Sequence, residues 1–237
     1  MKKMYFLILP VLICVLIFNS SFVFYDLGKN VSGENPKSSL PVIIIDAGHG
    51  GFDGGAVAAD GTVEKDINLK ISLYLQEYLD VFGFETLLTR DNDNSLEDAG
   101  LETIKKKKTS DIHNRMKIME DTDNALFISI HQNHYPVEKY SGMQVFYSPE
   151  FSEKSSLLAQ SIQETVTEIL QPDNNRLIKQ CGTSVYLMYN AVKPAVLVEC
   201  GFLSNVIETQ KLKTDVYQKE LAFCIALGVQ KYVYGEG

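Results

Sequence analysis

The chain has no tryptophan, only 4 cysteines in 237 residues, and fewer basic than acidic side chains, 22 Lys and Arg against 30 Asp and Glu. Each shortage excludes something. The formal charge is −8, and setting residues 1–29 aside leaves 19 basic against 29 acidic residues. That sign argues against a nucleic-acid partner, whose phosphates demand the opposite one. Cys14, Cys181, Cys200 and Cys224 lack the spacing of a disulfide framework or a thiolate metal site, so the last three are expected as buried thiols. Cys14 also lacks the Leu, small, small pattern that precedes a lipid-modified cysteine.

A long apolar stretch stands at the start, from Met4 to Tyr25 behind Lys2 and Lys3. It is about 22 residues long, enough at ~1.5 Å each to cross a bilayer. It reads as an export signal or, because no small-x-small cleavage site follows, as an uncleaved membrane anchor. Either reading places the remainder outside the cytoplasm, secreted or attached to the cell envelope. Residues 1–27 are assigned to this segment, 28–40 to a linker containing Gly, Pro, Ser and Asn, and 41–237 to one catalytic domain.

Within that domain Val42–Asp46 is apolar on both faces, as a central strand of a helix-covered sheet is. From Glu64, Ile67, Ile71, Tyr74 and Tyr78 recur at helical spacing, with Leu75 and Leu79 widening the stripe. Phe84–Thr89 reads as a strand. Residues 91–108 read as a long exposed loop, with Lys105 to Lys108 its solvated, mobile part. Ser110 or Asp111 is expected to cap a helix reaching about Asp121. Leu126–Ile130 and Met143–Tyr147 are expected strands, Ser152–Leu170 a helix, Ser184–Met188 and Ala195–Glu199 two more strands, and Asp215–Ala226 a last helix. The alternation predicts a single three-layer α/β domain, with a mostly parallel or mixed sheet of about six strands and helices on both faces.

Ligands in open α/β sheets gather beyond the carboxyl ends of the strands. His49, in VIIIDAGHGG, and His131, in LFISIHQNH, both follow such ends; Glu199 closes a third strand and Glu64 opens the first helix. Two imidazoles and a carboxylate suit a catalytic zinc, and a second carboxylate can then work on its water. Taken singly, His49 also reads as a hydrogen-bonded loop residue and Glu64 as a first-turn carboxylate favoured by the helix dipole. Glu199 fits an ordinary role less well, because it follows the apolar run PAVLV and a buried carboxylate is costly unless paired or put to use. On the residues alone, both readings stand.

The strings IIIDAGHGGFDGGA with Glu64 downstream, Thr89-Arg90 followed by Asp93, DIHNRMKIMEDTDNALFISIHQN and PAVLVECGFLSN together resemble the zinc-dependent N-acetylmuramoyl-L-alanine amidases of bacterial peptidoglycan. The resemblance spans about Val42 to Val229. It implies His49, Glu64 and His131 as zinc ligands and Glu199 as the catalytic acid and base. It also implies a substrate made of a glycan strand with its stem peptide. The lack of wall-binding repeats makes the chain most similar to the spore-cortex amidases of endospore formers, whose action leads to muramic-δ-lactam. Family members keep a small residue between the ligand histidine and the following asparagine, where this chain has Gln132. Gln132 is therefore expected to narrow the cleft or bond substrate, and the nearby His134 to support the site, touch substrate or stand in as an alternative ligand. An envelope protein that stabilises or activates such a site is a compatible partner, as is the membrane if the first segment stays attached. A zinc carboxypeptidase acting on stem peptides and a non-catalytic envelope scaffold are the competing readings. A serine or cysteine hydrolase is disfavoured, since Ser184 and Ser204 lack a histidine partner and Cys200 points away from Glu199.

Overall fold

A computed structural model describes residues 40–235. The segment assigned to export and the linker as far as Ser39 lie outside those residues. Among the described residues no helix is long and apolar enough to cross a membrane.

Six strands form one sheet: β1 (Val42–Ala47), β2 (Thr86–Leu88), β3 (Ala125–Asn133), β4 (Gln144–Tyr147), β5 (Lys179–Gln180) and β6 (Ala195–Phe202), in the order β2-β1-β3-β6-β4-β5. β1 is parallel to β2 and β3, and β3 to β6, while β4 runs antiparallel to β6 and parallel to β5. The carboxyl ends of β1, β3 and β6 thus share one rim with the amino end of β4. The helices are α1 (Glu64–Val81), α2 (Ile104–Asp121), α3 (Ser152–Ile169), the single turn α4 (Tyr186–Tyr189), α5 (Val206–Leu212) and α6 (Asp215–Tyr234).

Side chains alternate across each strand with a period of two, and the core divides accordingly. Ile43, Ile45, Ile128, Ile130, Val196 and Val198 meet the apolar stripes of α1, α3 and α6 in the larger cluster. Ile44, Phe127, Ala195 and Leu197 face Met116 and Met119 of α2 and Met188 of α4 in a smaller one. Cys181, Cys200 and Cys224 are free, buried thiols.

Three expectations fail. Lys105 to Lys108 belong to α2, which starts at Ile104 and is capped by Thr103, whose Oγ1 accepts from Lys106 N at 3.3 Å, and not by Ser110 or Asp111. The reason is that residues 104–109 are exposed or half-buried, so the first turns of α2 carry no apolar stripe and read as a polar loop. Residues 184–188 form no strand; Val185 precedes α4 and packs with Leu187 and Met188 over the smaller cluster. The last helix continues past Ala226 to Tyr234.

Candidate metal centre

His49 follows β1 by two residues and takes a left-handed backbone, φ 62°. The turn is held from beneath by two arginines. Arg115 bonds the carbonyls of Ala47 at 2.9 Å and His49 at 2.7 Å, and Arg90 those of Ala47 at 2.8 Å and Gly48 at 3.0 Å. Arg115 is itself neutralised by Asp46 and Asp111, and Asp46 also accepts from Ser129 at 2.6 Å and Thr89 at 2.8 Å. Asp53 Oδ2 lies 3.0 Å from His49 Nδ1, and Lys108 Nζ holds the other oxygen of Asp53 at 2.9 Å. A carboxylate behind a ligand imidazole sets its tautomer and orientation.

Glu64 opens α1 with both oxygens engaged. Oε2 accepts from Ala56 N at 2.8 Å and lies 3.3 Å from His49 Nε2. Oε1 accepts from Gln132 N at 3.0 Å and Asn68 Nδ2 at 3.2 Å, and lies 3.0 Å from His131 Nδ1. Burial opposes its charge, but His131 and His49 outweigh that and hold the carboxyl well below the usual range. Burial likewise opposes protonation of His49, yet Asp53 and Glu64 push its pKa up to about 9. The surroundings therefore favour positive charge at this point.

Ligand atoms of His49, Glu64 and His131 all lie within 4.8 Å of one another. Donors at ~2.0–2.2 Å from a tetrahedral zinc stand roughly 3.4 Å apart, so the set closes on one ion with small side-chain shifts. Glycines make room for it. A Cβ on Gly48 would lie 2.2 Å from His131 Nε2, and one on Gly55 2.5 Å from Glu64 Oε2 and 2.6 Å from the His49 ring. The donor set and its close packing fit a single Zn2+.

Glu199 is the register partner of His131 across β3 and β6. Its Oε2 is buried with no hydrogen-bond partner among the described residues. Burial raises its pKa, His131 draws it down, Glu64 raises it and His49 draws it down, leaving it pushed up to about 7. With His49 and His131 it borders a cleft of about 280 Å³ whose other wall includes Ser184, Tyr186 and Met188.

Gln132 does not lie where the sequence suggested, and His134 stands apart from the metal cluster. Gln132 is buried on the opposite face from His131, with Nε2 on Asn68 Oδ1 at 3.1 Å, so it braces Glu64 through Asn68 and does not narrow the cleft. His134 is exposed and borders a different cavity, beside Tyr135 and Leu203. Cys200 faces away from Glu199 into the larger cluster, where burial pushes its thiol far up, so no thiolate is poised there. Sequence reasoning missed Asp53, Asn68 and the Asp46–Arg115–Asp111 brace. For Asp53 the signal was present, four residues past His49.

Residues 43–231 match the family described as N-acetylmuramoyl-L-alanine amidase. The chain belongs to this amidase family. It is 35% identical over 203 residues to the germination-specific N-acetylmuramoyl-L-alanine amidase of Bacillus subtilis, covering 84% of each chain. Among solved structures, it is similar to the CwlD amidase from Clostridioides difficile, determined in complex with the GerS lipoprotein, at 39% identity and TM-score 0.79, covering 82% of this chain and 99% of that one. The amidase AmiC2 of Nostoc punctiforme matches at 28% identity and TM-score 0.69, covering 83% and 98%. The His49, Glu64 and His131 cluster is consistent with a single Zn2+ site in an enzyme of this family.

Proposed function

We propose that the protein is a zinc-dependent hydrolase of the amide between the lactyl group of N-acetylmuramic acid and L-alanine, with Glu199 as the catalytic residue. One observation carries the assignment to Glu199: an unpartnered carboxylate oxygen opposite His131, in the cleft that His49 also borders. A bound zinc supplies Lewis-acid chemistry, acidifying a water and polarising the scissile carbonyl. His49, Glu64 and His131 would hold it, the first oriented by Asp53. Glu199 Oε2 takes the proton of the attacking water and returns it to the departing alanine nitrogen. A pKa near neutrality suits both transfers.

The germination-specific relative supports spore cortex as the substrate, with muramic-δ-lactam as the downstream product. Such relatives support action outside the cytoplasm; delivery by residues 1–27, cleaved or retained as an anchor, belongs to the same proposal. The solved relative bound to a lipoprotein supports a partner of that envelope class, one that stabilises or activates the site.

Mass analysis of digested peptidoglycan tests the reaction. Intact stem peptides and peptide-free muramic acid are expected, and both should vanish on chelation. Shortened stem peptides would point to a carboxypeptidase instead. Cortex from a strain lacking the protein is expected to contain no muramic-δ-lactam.

A further inference from the structure

The rim that carries Glu199 continues across β4, and there a guanidinium is held in place by hydrogen bonds and by stacking on an aromatic ring. Gln144 opens β4 and is the register partner of Glu199. Opposed residues in adjacent strands present their side chains on the same face, so Gln144 shares the sheet face of Glu199. Its Oε1 accepts from Arg176 Nη1 at 3.2 Å, while its Nε2 is fixed on Leu177 O at 2.8 Å.

Arg176 is further fixed by Nε on Ser141 O at 2.7 Å, and its guanidinium lies 4.5 Å over the ring of Phe202. Arg176 makes no ion pair among the described residues, and Nη2 donates to none of them. The nearby Glu208 attracts Arg176 electrostatically but forms no ion pair with it, its two oxygens accepting from Gly142 N at 2.8 Å and Phe202 N at 2.7 Å. Arg176 borders a groove of about 580 Å³ together with Lys139, Lys211 and Asn175, with Asp173 and Glu208 as its acidic members. A fixed arginine whose Nη2 donates to no described residue, on the side of the Glu199 rim where β4 begins, marks a site for an anion.

We infer that Arg176 is a specificity-determining residue that binds a carboxylate on the peptide arm of the substrate. The inference rests on the amidase reading for the identity of that ligand. A guanidinium one side chain and one hydrogen bond beyond Glu199 stands on the order of 10 Å away, about three residues of extended peptide. Every peptide arm bears at least a terminal carboxylate, and Arg176 offers it Nη2 with a charge that needs no further desolvation of a partner. A planar guanidinium fixed by stacking gives directional recognition that a mobile lysine does not.

The test uses zinc-loaded protein carrying Glu199→Gln, so that ligand persists. Dissociation constants are measured by calorimetry for a muramoyl peptide with free carboxylates and for its carboxamide counterpart, each with and without Arg176→Gln. The carboxylate form is expected to bind about tenfold more tightly than the carboxamide, a preference that Arg176→Gln abolishes and Arg176→Lys partly keeps. A purely structural role would weaken both ligands alike. Equal weakening, no weakening, or no binding of the carboxylate form overturns the inference. Cleavage of the same compound by the unmutated protein is read separately: failure to cut at the lactyl–alanine bond would sink the amidase reading, while the binding comparison still decides Arg176.

Discussion

Successive residues of β1, β3 and β6 go to two very different environments. On the face covered by α1, α3 and α6 they are Ile43 and Ile45, Ile128 and Ile130, Val196 and Val198, all apolar and fully buried. On the face covered by α2 and α4 they begin apolar and turn polar toward the rim: Ile44 then Asp46, Phe127 then Ser129 and His131, Leu197 then Glu199. The same strands therefore serve as foundation on one side and as a row of functional groups on the other. Because side chains alternate with a period of two, the chemistry is placed without interrupting the larger core. The cost falls on the second face, where buried charge needs partners, and Arg115 supplies them from α2.

Four substitutions separate the two faces, in descending order of effect. His131→Ala removes a proposed ligand from the functional face. Metal analysis should find zinc lost and turnover at background, with circular dichroism still showing a folded protein. Arg115→Gln strips the partner from Asp46 and Asp111 and should cost about 3–5 kcal/mol in denaturant unfolding. It should also move acid unfolding to higher pH. Burial raises the pKa of Asp46, but Arg115 and Ser129 outweigh it and hold the group below its ordinary value. A depressed carboxylate contributes stability above the unfolded value of about 3.9 and loses it as pH falls through the folded one. Without Arg115 burial dominates, so protonation sets in earlier.

Leu75→Ala, on the foundation face, should cost about 2–5 kcal/mol by the same measurement while zinc content per folded molecule stays constant. Zinc loss in step with stability would mean that the faces are not separable. Gln132→Ala should be mildest, about 1 kcal/mol from the bond lost to Asn68. Its KM should stay unchanged, because the side chain points away from the cleft; a raised KM would restore a substrate contact.

The foundation face was legible in the sequence because aliphatic periodicity reports burial directly: the stripe Ile67, Ile71, Leu75 and Leu79 and the runs Val42–Asp46 and Ala195–Glu199 all form the elements expected. Four candidate site residues were legible because strand ends, apolar neighbours and family strings coincide at His49, His131 and Glu199, with Glu64 opening the next helix. The functional face was harder. The buried positions of α2 are Asp111, Arg115, Met116 and Met119, and half of them look like surface residues until their partners on β1 are known. Residues 184–188 have the β-branched and aliphatic composition of a strand, yet that composition also suits a short apolar lid over the cluster beneath. The aim of Gln132 depended on its register in β3, which carries the strand on to Asn133, beyond the apolar run that marked it.

Zinc content and turnover of Glu199→Gln, measured on one preparation, test the central claim most directly. Zinc at the unmutated stoichiometry with turnover reduced about 100- to 10,000-fold is the predicted result, since three ligands remain and only the proton carrier is lost. Near-normal turnover, or loss of zinc together with activity, would contradict the division between three metal-holding residues and one that moves protons.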